Sequence, residues 1–134
     1  MVRLTRELRY NPVQPRKKKT LTLCAKTNVL TYGHDLWWRA FNEIGEEYPD
    51  IKRDYAHVDA TTMWFVRRPE YFQVVVAPNM FGDIISDLAA QMIGGLGFGC
   101  SGNIGKKLAV FEPSHGSAPK YAGQYRVNPI ATIL

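Results

Sequence analysis

The chain has 134 residues, enough for one domain with a real hydrophobic core. Its 46% hydrophobic and 22% charged residues are ordinary for a globular protein, and no apolar run approaches the ~20 residues of a membrane span. The net charge of +5 is a terminal property: Met1 to Thr20 holds seven basic residues against Glu7 alone, while the remainder carries ten basic and eleven acidic side chains. A basic arm of this kind can hold phosphates nonspecifically, but no recognition motif accompanies it, so nucleic acid is not an expected partner. The first twenty residues lack the continuous apolar core of a secretory signal. Cys24 and Cys100 lie 76 positions apart and match no metal spacing. Both are expected as buried thiols in a reducing compartment, with the cytoplasm as the default location.

In chain order, Lys19 to Cys24 reads as a strand rich in Thr and Leu. "HDLWWRAFNEIGEEY" places Leu36, Trp37, Ala40, Phe41 and Ile44 at helical spacings, and Pro49 closes that helix. "IKRDYAHVD" is a strand, Ala60 to Arg68 a short helix ending before Pro69, and "FQVVVAP" a buried strand. Asn79 to Ile93 is a helix stopped by "GGLGFG"; "LAVFEP" is a strand, and "NPIATIL" opens another helix. This alternation predicts an α/β sheet with helices packed around it. The last helix stops within an apolar stretch, and "ELRYNPVQPRKKK" shows no periodicity, so a fragment is expected: an atypical basic arm over 1–19, then a partial domain over 20–134.

"NMFGDIISDLAA" sets Asp83 and Asp87 four residues apart in an apolar run, so both carboxylates share one helix face. Two readings stand. Acidic residues at a helix start favour its dipole, whereas paired carboxylates suit a hard cation such as Mg2+ or Mn2+. "VFEPSHGSAPKYAGQYRVNP" raises a similar choice. Small residues in "HGSAP" let a backbone approach a ligand, and a short helix from Ala118 would turn its N-terminus to an anion. Lys120, Tyr121 and Arg126 offer donors nearby, although the direction of Arg126 is not readable from sequence. A Gly/Pro-rich surface loop with incidental polar residues is the plainer alternative. The dinucleotide fingerprint GxGxxG after a strand is not present.

"AKTNVL", "HVDATTMWFVRRPEYF", "VVAPNMFGDIISDLAAQMIGGLGF", "SGNIG" and "VFEPSHGSAPKYAGQYRVNP" occur in order. Together they resemble the β-decarboxylating dehydrogenases of isocitrate, 3-isopropylmalate, homoisocitrate and tartrate, over about Thr20 to Leu134. The resemblance implies the isocitrate/isopropylmalate dehydrogenase-like α/β fold, distinct from Rossmann and here partial. It also implies NAD or NADP with Mg2+ or Mn2+, a small 2-hydroxy acid substrate, and a homodimer with shared active sites. By the same resemblance Asp83 and Asp87 are metal ligands, and Asp59 is a third carboxylate given to the neighbouring subunit. Lys26 matches a lysine that acts across the dimer interface in proton transfer at the substrate hydroxyl, a role that needs a tuned pKa. Asn28 matches a residue near the nicotinamide.

His115, Gly116, Ser117, Ala118, Val127 and Asn128 match an adenosine-binding loop. Where NAD-using relatives place Asp after "HGSAP", this chain has Lys120 and then Tyr121, donors suited to the 2′-phosphate of NADP. NADP is therefore expected, with NAD as the alternative cofactor. That pair resembles the isocitrate branch, whereas "NMFGDIISD" is closer to the isopropylmalate and homoisocitrate branches. The sequence thus favours isocitrate, then 3-isopropylmalate or a homoisocitrate- or tartrate-type relative, with a noncatalytic nucleotide-binding or dimerising remnant as the competing class. The family's substrate-gripping arginines and tyrosine lie upstream, and Arg67 and Arg68 read only as a helix end, so the chain alone is expected to be inactive.

Overall fold

In the computed structural model, residues 19–133 are described; the basic arm, apart from Lys19, lies outside them. The chain divides into two units, Met1–Ile85 and Ser86–Leu134.

The first unit is built on a three-stranded parallel sheet in the order β2-β1-β3, with β1 at Lys19–Ala25, β2 at Ile51–His57 and β3 at Val74–Val76. Leu23 pairs with Tyr55 on one side and Val76 on the other, so β1 is the central strand. Helix α1 (Gly33–Glu46) connects β1 to β2, and helix α2 (Val58–Arg67) leads from β2 towards β3. The step from β1 to β2 and the return from β2 across β1 to β3 run in opposite directions. Right-handed crossovers then place α1 and α2 on opposite faces. Burial agrees. Leu21, Leu23 and Ala25 form one core with Phe41 of α1, Tyr48, Ile51 and Val76. Thr22 and Cys24, on the other face, are fully buried, and so is Thr61 of α2. Burial pushes the Cys24 thiol pKa up, with a side-chain hydrogen bond to Thr61 as a partial offset.

Several sequence expectations are shortened by local chemistry. The strand expected over Ile51 to Asp59 ends at His57, because Val58 begins α2 and Thr61 Oγ1 donates to the His57 carbonyl at 3.0 Å. Asp59 consequently sits in the first turn of a helix. The strand expected over Phe72 to Pro78 keeps only its three valines, following a 3-10 turn at Pro69–Tyr71. The helix end at "RRP" is as expected, with α2 closing at Arg67.

Helix α3 (Asn79–Met92) follows β3 and matches its expected span within one residue. Its end is a glycine stop. The Gly95 amide reaches back to the Ala90 carbonyl at 2.8 Å with φ of +103°, a conformation that favours glycine. In the second unit, strands β4 (Cys100–Ile104) and β5 (Ala109–Pro113) form an antiparallel hairpin, closed by the Gly105 amide on the Leu108 carbonyl. Strand β4 was not expected from "CSGNI", whose Gly, Ser and Asn disfavour strands; cross-strand pairing overrides that preference. Cys100 is exposed there, which corrects the expectation that both thiols are buried; Cys24 alone is. The helix expected from Ala118 is a single 3-10 turn, Pro119–Tyr121, too short to offer an anion a helix N-terminus. A short helix α4 (Ile130–Ile133) begins after Asn128, whose Oδ1 accepts the Ile130 amide at 3.0 Å. No helix among the described residues is long and apolar enough to cross a membrane.

The central position of β1 makes Leu23 the most exacting core residue. Leu23→Ala should destabilise the first unit by about 2–5 kcal/mol, whereas Leu36→Ala, at 58% exposure on α1, should cost roughly 0.5 kcal/mol or less. Urea unfolding followed by tryptophan fluorescence measures this, since Trp37, Trp38 and Trp64 all lie in that unit. Equal midpoints for the two variants would contradict the burial pattern.

Candidate functional site

Parallel strands end along one edge of their sheet, and in open α/β sheets ligands bind outside the carboxyl ends, where the strand order reverses. Here the reversal is at β1. Lys26 is the first residue beyond β1, and Asp59 is the second beyond β2. Their side chains meet: Lys26 Nζ lies 2.8 Å from Asp59 Oδ1, with the lysine about one-fifth exposed and the aspartate two-thirds exposed. The hydrogen bond from Lys26 holds the Asp59 carboxyl below its usual pKa. Asp59 is thus favoured as an anion, paired with the Lys26 ammonium at this edge.

The Lys26 turn is fixed by its surroundings. Thr27 donates its amide to the Tyr55 hydroxyl at 3.2 Å, and the Thr27 and Tyr55 hydroxyls are 2.8 Å apart. The Tyr55 ring is itself held edge-on by Trp38 and His57. Asn28 follows in the same turn and is exposed.

Asp83 and Asp87 are both exposed on α3, beside the buried Phe81 and Ile85. The first turn of α3 contains no acidic residue. This counts against the helix-start reading of Asp83 and leaves a carboxylate pair past the point where the dipole is felt. The Asn79 side-chain Nδ2 donates to Asp83 Oδ2 at 3.3 Å. Among the described residues no three His, Cys, Asp or Glu side chains gather into a metal-sized group, and within one chain Asp59 is committed to Lys26. The donor set on α3 nevertheless fits a hard cation, because it is all oxygen, doubly anionic and open to solvent.

The second unit contains an open cleft of about 660 Å³, lined by Leu96, Gly97, His115, Gly116, Ala118, Tyr121, Arg126, Val127 and Asn128. Five residues expected at an adenosine site are among them, His115, Gly116, Ala118, Val127 and Asn128, together with Tyr121, expected at a 2′-phosphate. Ser117 and Lys120 do not line it, and the Lys120 ammonium rests over the Tyr121 ring at 4.8 Å from its centre. Arg126, whose direction the sequence left open, does face the cleft. Leu96 and Gly97 were missed; the crowding of glycines before Phe98 was the signal. A Cβ at Gly97 would sit 3.1 Å from that of Asn128, so the loop approaches closely only because the residue is glycine.

His115 carries a further clue. Its Nδ1 lies 2.9 Å from the Gly116 carbonyl, which can only accept, so Nδ1 holds the proton. Nε2 is buried and has no hydrogen-bond partner among the described residues. In the neutral ring it is an acceptor, and an unpartnered acceptor at a cleft wall fits a ligand that donates, such as an amino or hydroxyl group of a nucleoside.

The family model described as isocitrate/isopropylmalate dehydrogenase matches residues 9–134. A 3-isopropylmalate dehydrogenase of Streptomyces avermitilis is 51% identical over 128 residues, which cover 93% of this chain and 37% of that protein. That of Thermobifida fusca is 56% identical over 117 residues, or 85% and 33% of the respective lengths. Among solved structures, a Thermus thermophilus protein aligns with a TM-score of 0.88 at 43% identity, covering 98% of this chain and 26% of its own. The isocitrate dehydrogenase of Methylococcus capsulatus aligns with a TM-score of 0.86, also at 43% identity, covering 98% and 39%. The chain spans about a third of the length of the curated relatives it matches. With its parallel sheet and its motifs in order, the chain belongs to the isocitrate/isopropylmalate dehydrogenase family and has part of that α/β fold.

Proposed function

We propose that the chain carries part of the active site of a β-decarboxylating dehydrogenase that oxidises 3-isopropylmalate with NADP and Mg2+ or Mn2+, as a homodimer. The reading rests on one observation above the others: Lys26 and Asp59 meet at the carboxyl edge of the parallel sheet, in a chain of this family. Isocitrate, which the sequence favoured, becomes the second reading. The relatives at 51% and 56% identity are both 3-isopropylmalate dehydrogenases, as the "NMFGDIISD" stretch had suggested. Lys120 and Tyr121 still speak for isocitrate, and the isocitrate dehydrogenase structure at 43% identity supports it.

The chain's own residues divide the work. Lys26 holds a proton at the substrate hydroxyl oxygen, and Asp59 keeps the ammonium oriented. Because the two pair within one chain, they would travel together to a neighbouring copy's site. Helix α2 leaves Met63 and Val66 about 70% exposed, an apolar face consistent with assembly. Asp83 and Asp87 would hold the cation, with Asp59 of the second copy beside them. When bound, Mg2+ or Mn2+ would supply Lewis-acid polarisation at the substrate oxygen and NADP would supply a hydride acceptor. In the cleft, His115 Nε2 accepts from the nucleoside, and Gly116 and Ala118 let the backbone come close. Asn28, in the turn after β1, is the proposed contact of a nicotinamide. Tyr121 and Arg126 line the cleft beside the proposed 2′-phosphate, and Lys120, stacked on the Tyr121 ring outside the lining, would reach that phosphate from there.

These roles can be tested in an enzyme completed with the upstream part of the Thermobifida fusca relative. Because that upstream part itself carries the substrate-gripping residues, substrate class is read against a second enzyme completed with the upstream part of the Methylococcus capsulatus isocitrate dehydrogenase. The Thermobifida completion is expected to turn over 3-isopropylmalate faster than the Methylococcus completion turns over isocitrate; the reverse order would overturn the substrate assignment. In the Thermobifida completion Asp83→Asn should raise the Mg2+ requirement and cut turnover more than about tenfold, which is roughly 1.4 kcal/mol of barrier. An unchanged metal titration would show that α3 holds no cation.

Cofactor choice is a separate measurement. Lys120→Asp replaces an attraction to the phosphate with a repulsion, on the order of a few kcal/mol in a partly exposed site. It should therefore cost more NADP preference than Tyr121→Phe, which removes only a neutral hydroxyl. The readout is kcat/KM for NADP over that for NAD. A ratio above one in Lys120→Asp would mean that the phosphate is read elsewhere, with Arg126 the first residue to change.

A further inference from the structure

The Lys26 turn is closed by a residue with no role so far, His34 near the start of α1. The Lys26 carbonyl accepts the amides of Val29 at 3.2 Å and Leu30 at 2.9 Å, and the Leu30 carbonyl accepts the His34 amide at 3.1 Å. The loop is then completed in the other direction: the Lys26 amide donates to Nδ1 of the His34 ring at 2.8 Å. A backbone N–H only donates, so Nδ1 carries the lone pair and the ring is neutral, with its proton on Nε2. His34 is 8% exposed, and its ring stands edge-on to Phe81, with centres 5.1 Å apart and planes at 76°. Phe81 is also buried and lies two residues before Asp83 in α3.

One imidazole therefore touches both the turn that carries Lys26 and the start of the helix that carries Asp83. A leucine or phenylalanine would fill the same volume more cheaply, since burying a polar ring costs free energy unless its atoms are satisfied. What the imidazole adds is an acceptor for an amide that β1, ending at Ala25, no longer pairs. We infer that His34 is a positioning residue: its Nδ1 fixes the backbone of Lys26 and its ring sets that turn against the start of α3. The inference rests on the roles proposed for Lys26 and Asp83.

The test uses two substitutions in the completed enzyme. His34→Asn keeps an acceptor oxygen close to the place of Nδ1, whereas His34→Phe keeps an aromatic ring against Phe81 but removes the acceptor. His34→Phe should lower kcat about tenfold or more, because small misplacements of a reacting group are costly, with KM for the hydroxy acid and the dinucleotide little changed. His34→Asn should recover most of that loss. Lys26→Met separates this inference from the reading beneath it. Retained turnover in Lys26→Met overturns the role of Lys26 itself; lost turnover there beside an undiminished His34→Phe overturns only the positioning role. A measurement on the unmutated 134-residue chain does not depend on the variants folding. Nitrogen-15 shifts should show the His34 proton on Nε2, and the Lys26 amide should exchange slowly with solvent. A proton on Nδ1, or a freely exchanging Lys26 amide, overturns the inference.

Discussion

The two-sided burial of β1 is the constraint from which the first unit follows. A strand paired in parallel on both edges and covered on both faces must be apolar or internally satisfied throughout, and β1 is buried from Leu21 to Ala25. Its neighbours must also run the same way, so all three strands deliver their following residues to one edge. Lys26, Asp59 and the start of α3 are brought there by topology, although 57 positions separate Lys26 from Asp83. A position just after a rigid strand lets the core fix the backbone while the side chains stay partly exposed, Asp59 by two-thirds and Lys26 by about one-fifth.

Electrostatics and packing then divide the labour at that edge. The Lys26–Asp59 pair is too exposed to count for much as a stabilising contact. Its consequence is instead directional: it keeps a carboxylate ionised and an ammonium aimed. The buried side of the same turn is neutral, with Tyr55 below Thr27 and His34 below Lys26. Charge is thus kept where water can screen it, and hydrogen bonds to uncharged rings fix the backbone underneath.

The second unit works by a different device. Its hairpin is exposed along both strands, and its cleft is shaped by loops. Close approach depends on small residues, Gly97 against Asn128 and Gly116 beside His115, and on backbone held in unusual conformations such as Ala118 at φ of +44°. Loops of that kind carry recognition well, because they place main-chain groups and an orphaned imidazole nitrogen around an open volume.

The amino-acid sequence alone determined the elements whose pattern is periodic and self-contained. Helix α1 was legible from Trp37, Phe41 and Ile44, although Leu36 at the same spacing proves exposed; α3 was legible from its apolar run and glycine stop, and β1 from its Thr and Leu alternation. The ordered motifs also determined the family and most of the cleft-lining residues. What depends on distant partners was left to the tertiary structure. Strand β4 exists only because β5 pairs with it, Cys100 is exposed because that hairpin is uncovered among the described residues, and β3 contracts to three valines because only these find partners on β1. The same holds for function. Nothing in the spacing of His34, Tyr55 and Lys26 indicates that two rings clamp one turn, because those contacts arise from the packing of a helix and a strand around β1. Periodicity records which face of an element is buried; it does not record what that face meets.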